Sequence, residues 1–307
     1  MSTYKRVTER LARHLIAPFT AAAHAEIGRL TTWFQRQSER LTAIEADLAL
    51  QRSEIRNQNI TLPLLSAAIT VRSLRANSKT QHTSNYAPAR AKDIEAYFQD
   101  LRSLSPNSYE VWRNLFESGK TSYYEQREAS CSHRDQWYAR LFGAYVDIHA
   151  FGRLLDVGCG PHGLPSYLSH YDASLVSGLE PLEATGPVNF EFVRGFNEFL
   201  PWPDQAFNTV VSGTSLDHVI SLERALAEVR RVLTPEGRYL VWLASVPGAP
   251  AYVENAADAK AIDDFHMFHF DRLWIEPLFE KYFTIADVTV ISQPGFDHVF
   301  YSLQPRK

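Results

Sequence analysis

The stretch RLLDVGCGPHGLPSYLSHY, residues 153–171, sets a short apolar run directly against three glycines in six residues. Leu154, Leu155 and Val157 read as a buried strand, and Gly158, Gly160 and Gly163 satisfy the pattern GxGxxG. Such a turn, opening into a helix, brings backbone N–H groups and a helix amino terminus to an anionic ligand group. A helix is therefore expected after the turn. Glu180 closes the next apolar run twenty residues after Gly160, where a carboxylate can accept hydrogen bonds from both hydroxyls of a ribose.

The glycines and Glu180 together point to an adenosine-containing cofactor, and a nicotinamide dinucleotide also fits the turn. Asp156 weighs against that second choice. A carboxylate just before the turn repels a pyrophosphate, but suits a cofactor carrying an ammonium and a sulfonium. S-adenosylmethionine carries both.

Outward from this stretch, apolar β-rich runs follow at 175–180, 190–195, 207–213, 238–244, 283–291 and 298–304, the earlier ones separated by helical segments such as SLERALAEVRRVL. Strand and helix in alternation imply a parallel sheet with helices on both faces. The short Gly-Pro-containing connection before the last run predicts an antiparallel hairpin at one edge. The expectation is an α/β fold: a Rossmann-like, seven-stranded, mostly parallel sheet with an antiparallel final hairpin and an N-terminal helical extension.

LLDVGCGPHG, GLEPLE, GFNEFLPWPDQAFNTVVSGTSLDHV and RALAEVRRVLTPEGRYLVW stand in this order over residues 153–244. They resemble the successive motifs of the class I S-adenosylmethionine-dependent methyltransferases. Within that superfamily, GLEPLE, FVRGFNEFLPWPD and TSLDHV are most similar to enzymes of bacterial surface polysaccharide and lipopolysaccharide synthesis. The resemblance implies a cofactor-binding set of Asp156, Gly158, Cys159, Gly160, Glu180, Pro181, Phe196, Asn197, Glu198 and Ser212. It also implies O-methylation of a sugar hydroxyl on a nucleotide sugar or a surface polysaccharide intermediate. Phe196 departs from the family's usual acidic residue, and Asn208 stands where many relatives have Asp. These departures leave a non-catalytic scaffold as one rival reading; a nicotinamide-dependent oxidoreductase using the same GxGxxG turn is the other.

Methyl transfer to a hydroxyl calls for a base against the acceptor. Asp217 and His218 lie just beyond the fourth strand, at the sheet edge where ligands bind in such folds, and are expected as carboxylate partner and base. Because neighbours on a regular strand point oppositely, they require a loop there. Asp263, Asp264, His266 and His269 form a second group, with His266 and His269 expected on one helical face against the acceptor. With a carboxylate these two histidines could hold a divalent metal, but none is expected, since a supporting third ligand cannot be placed from the sequence. Tyr123, Tyr124 and Trp137 are expected in a lid over the cofactor.

Residues 1–72 read as a helical region, 73–92 as a linker, 93–150 as a helical cap and 151–307 as the methyltransferase domain. An apolar residue recurs every seventh position at Ile27, Phe34, Leu41, Leu48 and Ile55, with Leu30 and Ile44 three positions after the first and third. This spacing predicts a coiled coil, and with it a homodimer. Residues 1–92 hold 14 Lys+Arg against 6 Asp+Glu, within a chain of net charge −4. The acidic remainder argues against nucleic acid as a partner, while the basic amino-terminal segment YKRVTERLARHLIAPF is compatible with peripheral contact with an anionic membrane. Without a visible secretory signal, apolar span or paired-cysteine pattern, the expected location is cytoplasmic or at the inner membrane face.

Overall fold

A computed structural model describes residues 2–76, 91–125 and 136–306. The chain divides into two compact units, residues 1–55 and 56–307. The first unit is helical throughout its described part, belonging to helix α1 (Ser2–Ala76). Most of the linker expected at 73–92, and Cys131, lie outside the described residues.

The second unit is built on one seven-stranded sheet in the order β3-β2-β1-β4-β5-β7-β6. Its strands are β1 (Leu154–Val157), β2 (Val176–Glu180), β3 (Glu191–Arg194), β4 (Phe207–Gly213), β5 (Leu233–Ser245), β6 (Phe283–Gln293) and β7 (Phe296–Pro305). β1 pairs in parallel with both β2 and β4, all four of its residues being buried, as a central strand covered on both faces must be. β7 runs antiparallel between β5 and β6, so the hairpin turns at Gly295 and leaves β6 as the edge. Gly295 has φ +88°, the left-handed conformation that glycine adopts without strain.

The sheet order reverses between β1 and β4, which opens a crevice at their carboxyl ends. On one face pack α2 (Ile94–Leu104), α3 (Tyr109–Glu125), α5 (Leu222–Val232) and α6 (Arg272–Tyr282), burying Tyr97, Phe98, Trp112, Leu226, Val229 and Phe279. On the other, α4 (Trp137–His149) buries Phe142, Tyr145 and Val146 against Trp242 and Phe300, joined by Leu64 and Leu65 of α1. Asn57 of α1 seals the edge strand, donating to the Ser292 carbonyl and accepting from the Ser292 N–H at 2.9 and 3.2 Å. An exposed strand edge is thereby covered in part.

Three expectations need correction. The glycine turn is not followed by an α-helix: after β1 the chain makes bends and one 3-10 turn, Ser166–Leu168. Pro161, Gly163 and Pro165 explain this, removing two amide donors and adding a left-handed residue at φ +92°. The β2–β3 and β3–β4 connections likewise lack α-helices, so helices cover the sheet less evenly than strand–helix alternation implies. Conversely, the polar segment containing SPNS and SGKTSYYEQREASCS, expected to join two helical runs of the cap, holds a 17-residue helix, Tyr109–Glu125, that buries Tyr109, Trp112 and Gly119.

Candidate active site

A cavity of about 520 Å³ lies in the crevice at the carboxyl ends of β1, β2 and β4. One end is made largely of backbone. Gly158 and Gly160 sit at φ +77° and +75°, and a Cβ on Gly158 would collide with the Ser215 side chain, whose hydroxyl donates to the Val157 carbonyl. At Gly160 a Cβ would meet nothing within 4 Å. The Gly160 N–H donates to Glu180 Oε2 at 3.0 Å and the Leu182 N–H to Oε1 at 3.1 Å, so the carboxylate also braces the turn. Burial pushes the Glu180 carboxyl up to about 7, opposed by these two N–H donors.

Gly158, Cys159, Gly160, Glu180, Pro181, Phe196, Asn197 and Glu198 all line the cavity. Asn197 is 6% exposed, and neither its amide nitrogen nor its oxygen has a hydrogen-bond partner among the described residues. A buried amide without partners, on a cavity wall, fits a ligand with both donor and acceptor edges, as an adenine has. Glu198 serves differently: its carboxylate accepts from the Ile220 and Ser221 N–H groups at 2.8 and 3.2 Å and so holds the approach to α5. Phe196 packs edge-on against Tyr97, Trp112 and Phe116, joining the cavity wall to the core.

Two residues of the expected set are placed elsewhere. Ser212 is fully buried off the cavity wall, its hydroxyl accepting from Tyr239 at 2.9 Å, because its position on β4 turns it into the sheet's core. Asp156 is also fully buried and does not line the cavity; the Tyr167 hydroxyl stands between, donating to its carboxylate at 3.0–3.1 Å. Burial pushes the Asp156 carboxyl up to about 8, Tyr167 opposing. Tyr167 itself lines the cavity, and no spacing rule ties it to Asp156 in the sequence.

The other end is assembled from side chains of separate segments. Beyond β4, a 3-10 turn at Leu216–His218 supplies the loop needed for Asp217 and His218 to face the same space. Asp217 Oδ1 is buried without a hydrogen-bond donor among the described residues, 3.8 Å from His218 Nε2. The Tyr123 hydroxyl of α3 lies 2.9 Å from the same nitrogen. The Trp112 indole donates to the His218 carbonyl at 2.8 Å and fixes its backbone. Burial lowers the His218 pKa, and His266 lowers it further, while Asp217 and Asp263 oppose.

His266 enters from the loop after β5, its ring centroid 4.9 Å from that of His218 and its Nε2 3.7 Å from Asp217 Oδ2. Its Nδ1 lies 2.9 Å from Asp263 Oδ2, which also faces His269 Nε2 at 3.2 Å. Contrary to expectation this segment is not helical; Asp263 accepts the Phe265 and His266 N–H groups and folds it into a turn. His266 therefore reaches the cavity, whereas His269 does not and holds Asp263 instead. The structure joins the two groups through His266, which lies with Asp217 and His218 in one cluster and with Asp263 and His269 in another.

Of the expected lid residues, Tyr123 lines the cavity. Tyr124 instead accepts the Glu183 N–H at 2.9 Å, and Trp137 is 42% exposed and off the cavity wall. The wall there belongs to its neighbours Gln136 and Tyr138, together with Trp242 and His298. The Trp242 indole donates to His298 Nδ1 at 3.2 Å, and burial lowers the His298 pKa to about 4, leaving it neutral.

Comparison with known proteins agrees with this architecture. Residues 155–241 match a family model described as a methyltransferase domain. The ubiquinone/menaquinone biosynthesis C-methyltransferase UbiE of Enterobacter sp. (strain 638) is 30% identical over 192 residues, covering 61% of this chain and 73% of the relative. That of Salmonella arizonae is 32% identical over 195 residues, covering 62% and 74%. The chain belongs to the S-adenosylmethionine-dependent methyltransferases. As a member of that family it takes S-adenosylmethionine as cofactor, and the glycine turn, Glu180 and the unpartnered Asn197 amide fit that molecule. The fold is shared with a solved structure of Burkholderia thailandensis 1,6-didemethyltoxoflavin-N1-methyltransferase with bound 1,6-didemethyltoxoflavin and S-adenosylhomocysteine. The TM-score is 0.51 at 17% identity, with 65% of this chain and 91% of the other covered. No helix among the described residues is long and apolar enough to cross a membrane.

Proposed function

We propose that this methyltransferase acts on a small hydroxylated ring compound, with His218 receiving the proton of the acceptor hydroxyl. The observation that carries the proposal is the convergence of His218 Nε2, the Tyr123 hydroxyl and the unpartnered Asp217 Oδ1 on one cavity wall. S-adenosylmethionine, when bound, supplies an electrophilic methyl group. A hydroxyl becomes a good nucleophile only as it loses its proton, so a neutral imidazole beside it is the useful form. Burial favours that form in His218. The imidazolium that results is stabilised by Asp217, while Asp263, anchored by His269, orients His266 beside it.

The cavity wall also carries the apolar side chains Trp112, Leu115, Phe116, Phe265 and Met267. Such a lining favours an acceptor with a flat apolar face and excludes water that would compete for the methyl group. A phenolic or enolic ring has that face, and so does the C–H face of a pyranose. The surface-glycan acceptor expected from the sequence resemblance rests on the resemblance alone. The UbiE relatives favour a second reading, transfer to a ring carbon made nucleophilic by the same deprotonated hydroxyl.

The proposal is tested by incubating the protein with methyl-labelled cofactor and two acceptor sets, hydroxylated aromatic rings and nucleotide sugars, and locating the label by mass spectrometry. Label on an oxygen or adjacent carbon of a ring acceptor supports the reading. Transfer confined to amines, or transfer that survives intact in His218→Ala, overturns it.

A further inference from the structure

We propose that the exposed apolar seam of α1 is the face on which two copies of this chain pair, parallel and in register. This rests on the helix alone, whatever the acceptor. Counting Ile27 as the first position of a seven-residue cycle, the first positions are 27, 34, 41, 48, 55, 62 and 69, and the fourth positions run 30, 37, 44 and 51. In the first unit, Leu30, Phe34, Leu41, Ile44 and Leu48 are 46–64% exposed. In the second unit the first-position spacing persists at Leu62 and Ile69, 70% and 61% exposed, but the fourth position between them, Leu65, packs into the core with Leu64. The pairing face is therefore the row in the first unit, where both seam positions lie exposed.

A period of seven identifies the occupant. A helix lying on a sheet or a lipid surface presents a broad stripe that drifts at 3.6 residues per turn, whereas a strict seven-residue repeat follows the seam between two supercoiled helices. The charges beside the seam set the orientation. Arg40 and Asp47 occupy the seventh position of their cycles, Glu45 and Arg52 the fifth. In a parallel, in-register pair, the seventh position of one helix faces the fifth position of the next cycle on its partner. Arg40 then meets Glu45 and Asp47 meets Arg52, each pair made twice. Among the described residues Arg40, Glu45 and Arg52 have no charged partner within the chain, while Asp47 accepts from the Gln51 amide at 2.9 Å.

The polar fourth positions argue the same way. Gln37 and Gln51 face their own copies in a parallel in-register pair, where two amides can hydrogen-bond across the seam. An antiparallel pair that stacks Leu41 on Ile44 would set Gln51 against Phe34 and Gln37 against Leu48. It would pair Arg40 with Asp47 but leave Glu45 and Arg52 unmatched. Only the parallel arrangement satisfies all four charges and both glutamines.

The full-length chain is tested by analytical ultracentrifugation at micromolar concentration, where a dimer is expected. Leu41→Lys with Ile44→Lys, both at exposed sites, should give a monomer with unchanged helix content and unchanged S-adenosylhomocysteine affinity. Reversing Arg40→Glu and Asp47→Arg should weaken the dimer about tenfold, and adding Glu45→Arg and Arg52→Glu should restore it. Ile44→Cys in a Cys131→Ser background should cross-link to itself on oxidation. A monomeric wild type, including one that sediments with anionic vesicles instead, overturns the proposal, as does a higher oligomer or a dimer indifferent to the lysines. Failure of the second charge pair to restore association, or of the Ile44→Cys variant to cross-link, overturns the parallel register.

Discussion

The two ends of the cavity are built by different means. The end proposed to hold the cofactor is a contiguous turn, Gly158 to Gly160, braced by one carboxylate from the adjacent strand. The end proposed to receive the acceptor takes Tyr123 from α3, Asp217 and His218 from the turn after β4, and His266 from the loop after β5. A backbone-built end depends on conformations that only a few residue types allow, while a side-chain-built end depends on distances between elements far apart in the chain. The first tolerates little substitution; the second is where one fold can change its acceptor.

The largest effect that sharpens this contrast is expected from Gly158→Val. The new side chain would have to occupy the space of Ser215 in a left-handed conformation that β-branched residues avoid. Cofactor affinity should fall at least about a hundredfold by calorimetry, since a misplaced backbone removes several interactions at once. Next in size is His218→Ala, for which kcat should drop by about 10² to 10⁴, the usual range for a general base. In the wild type the acid limb of kcat/KM should lie below the ordinary imidazole range of about 6.5, because burial lowers the His218 pKa. An acid limb above that range would break the assignment of a neutral base.

Much of the cofactor end was legible in the sequence because its residues are neighbours. Gly158, Gly160 and Glu180 are tied by strand length and turn chemistry, which short-range spacing captures. Tyr167 was not legible: it reaches Asp156 only because the chain after Gly163 bends back in place of the expected helix. That Asp217 and His218 line the cavity is legible because they follow a strand at the edge where ligands bind. His266 was found as a residue but not as a shape, since the turn that aims it is made by Asp263 capping two backbone N–H groups. α3 is hard to read from the sequence because Gly119 interrupts its buried face and stands among the polar residues Glu117, Ser118 and Lys120.

A smaller effect concerns the buried carboxyls. Asp156 and Glu180 are raised to about 8 and about 7 by burial, so the folded protein retains protons that the unfolded chain releases near pH 4. The stability this confers is fully present below the unfolded values and is lost as pH rises through the folded ones. Thermal melts of cofactor-free protein should therefore show Tm falling between about pH 5 and pH 8. Tyr167→Phe should deepen the fall, because it removes the donor that stabilises the ionised Asp156. A flat profile over that range would contradict the burial argument. The smallest effect is expected from Trp137→Ala, whose side chain is exposed and off the cavity wall, leaving cofactor affinity and turnover within about twofold of wild type.

Calorimetric titration of S-adenosylhomocysteine into the wild type, Glu180→Ala and His218→Ala tests the division of labour most directly. Binding in the wild type, loss in Glu180→Ala and unchanged affinity in His218→Ala would be the signature of a cofactor end that stands apart from the acceptor end. No binding to the folded wild type, or equal losses in both variants, would contradict it.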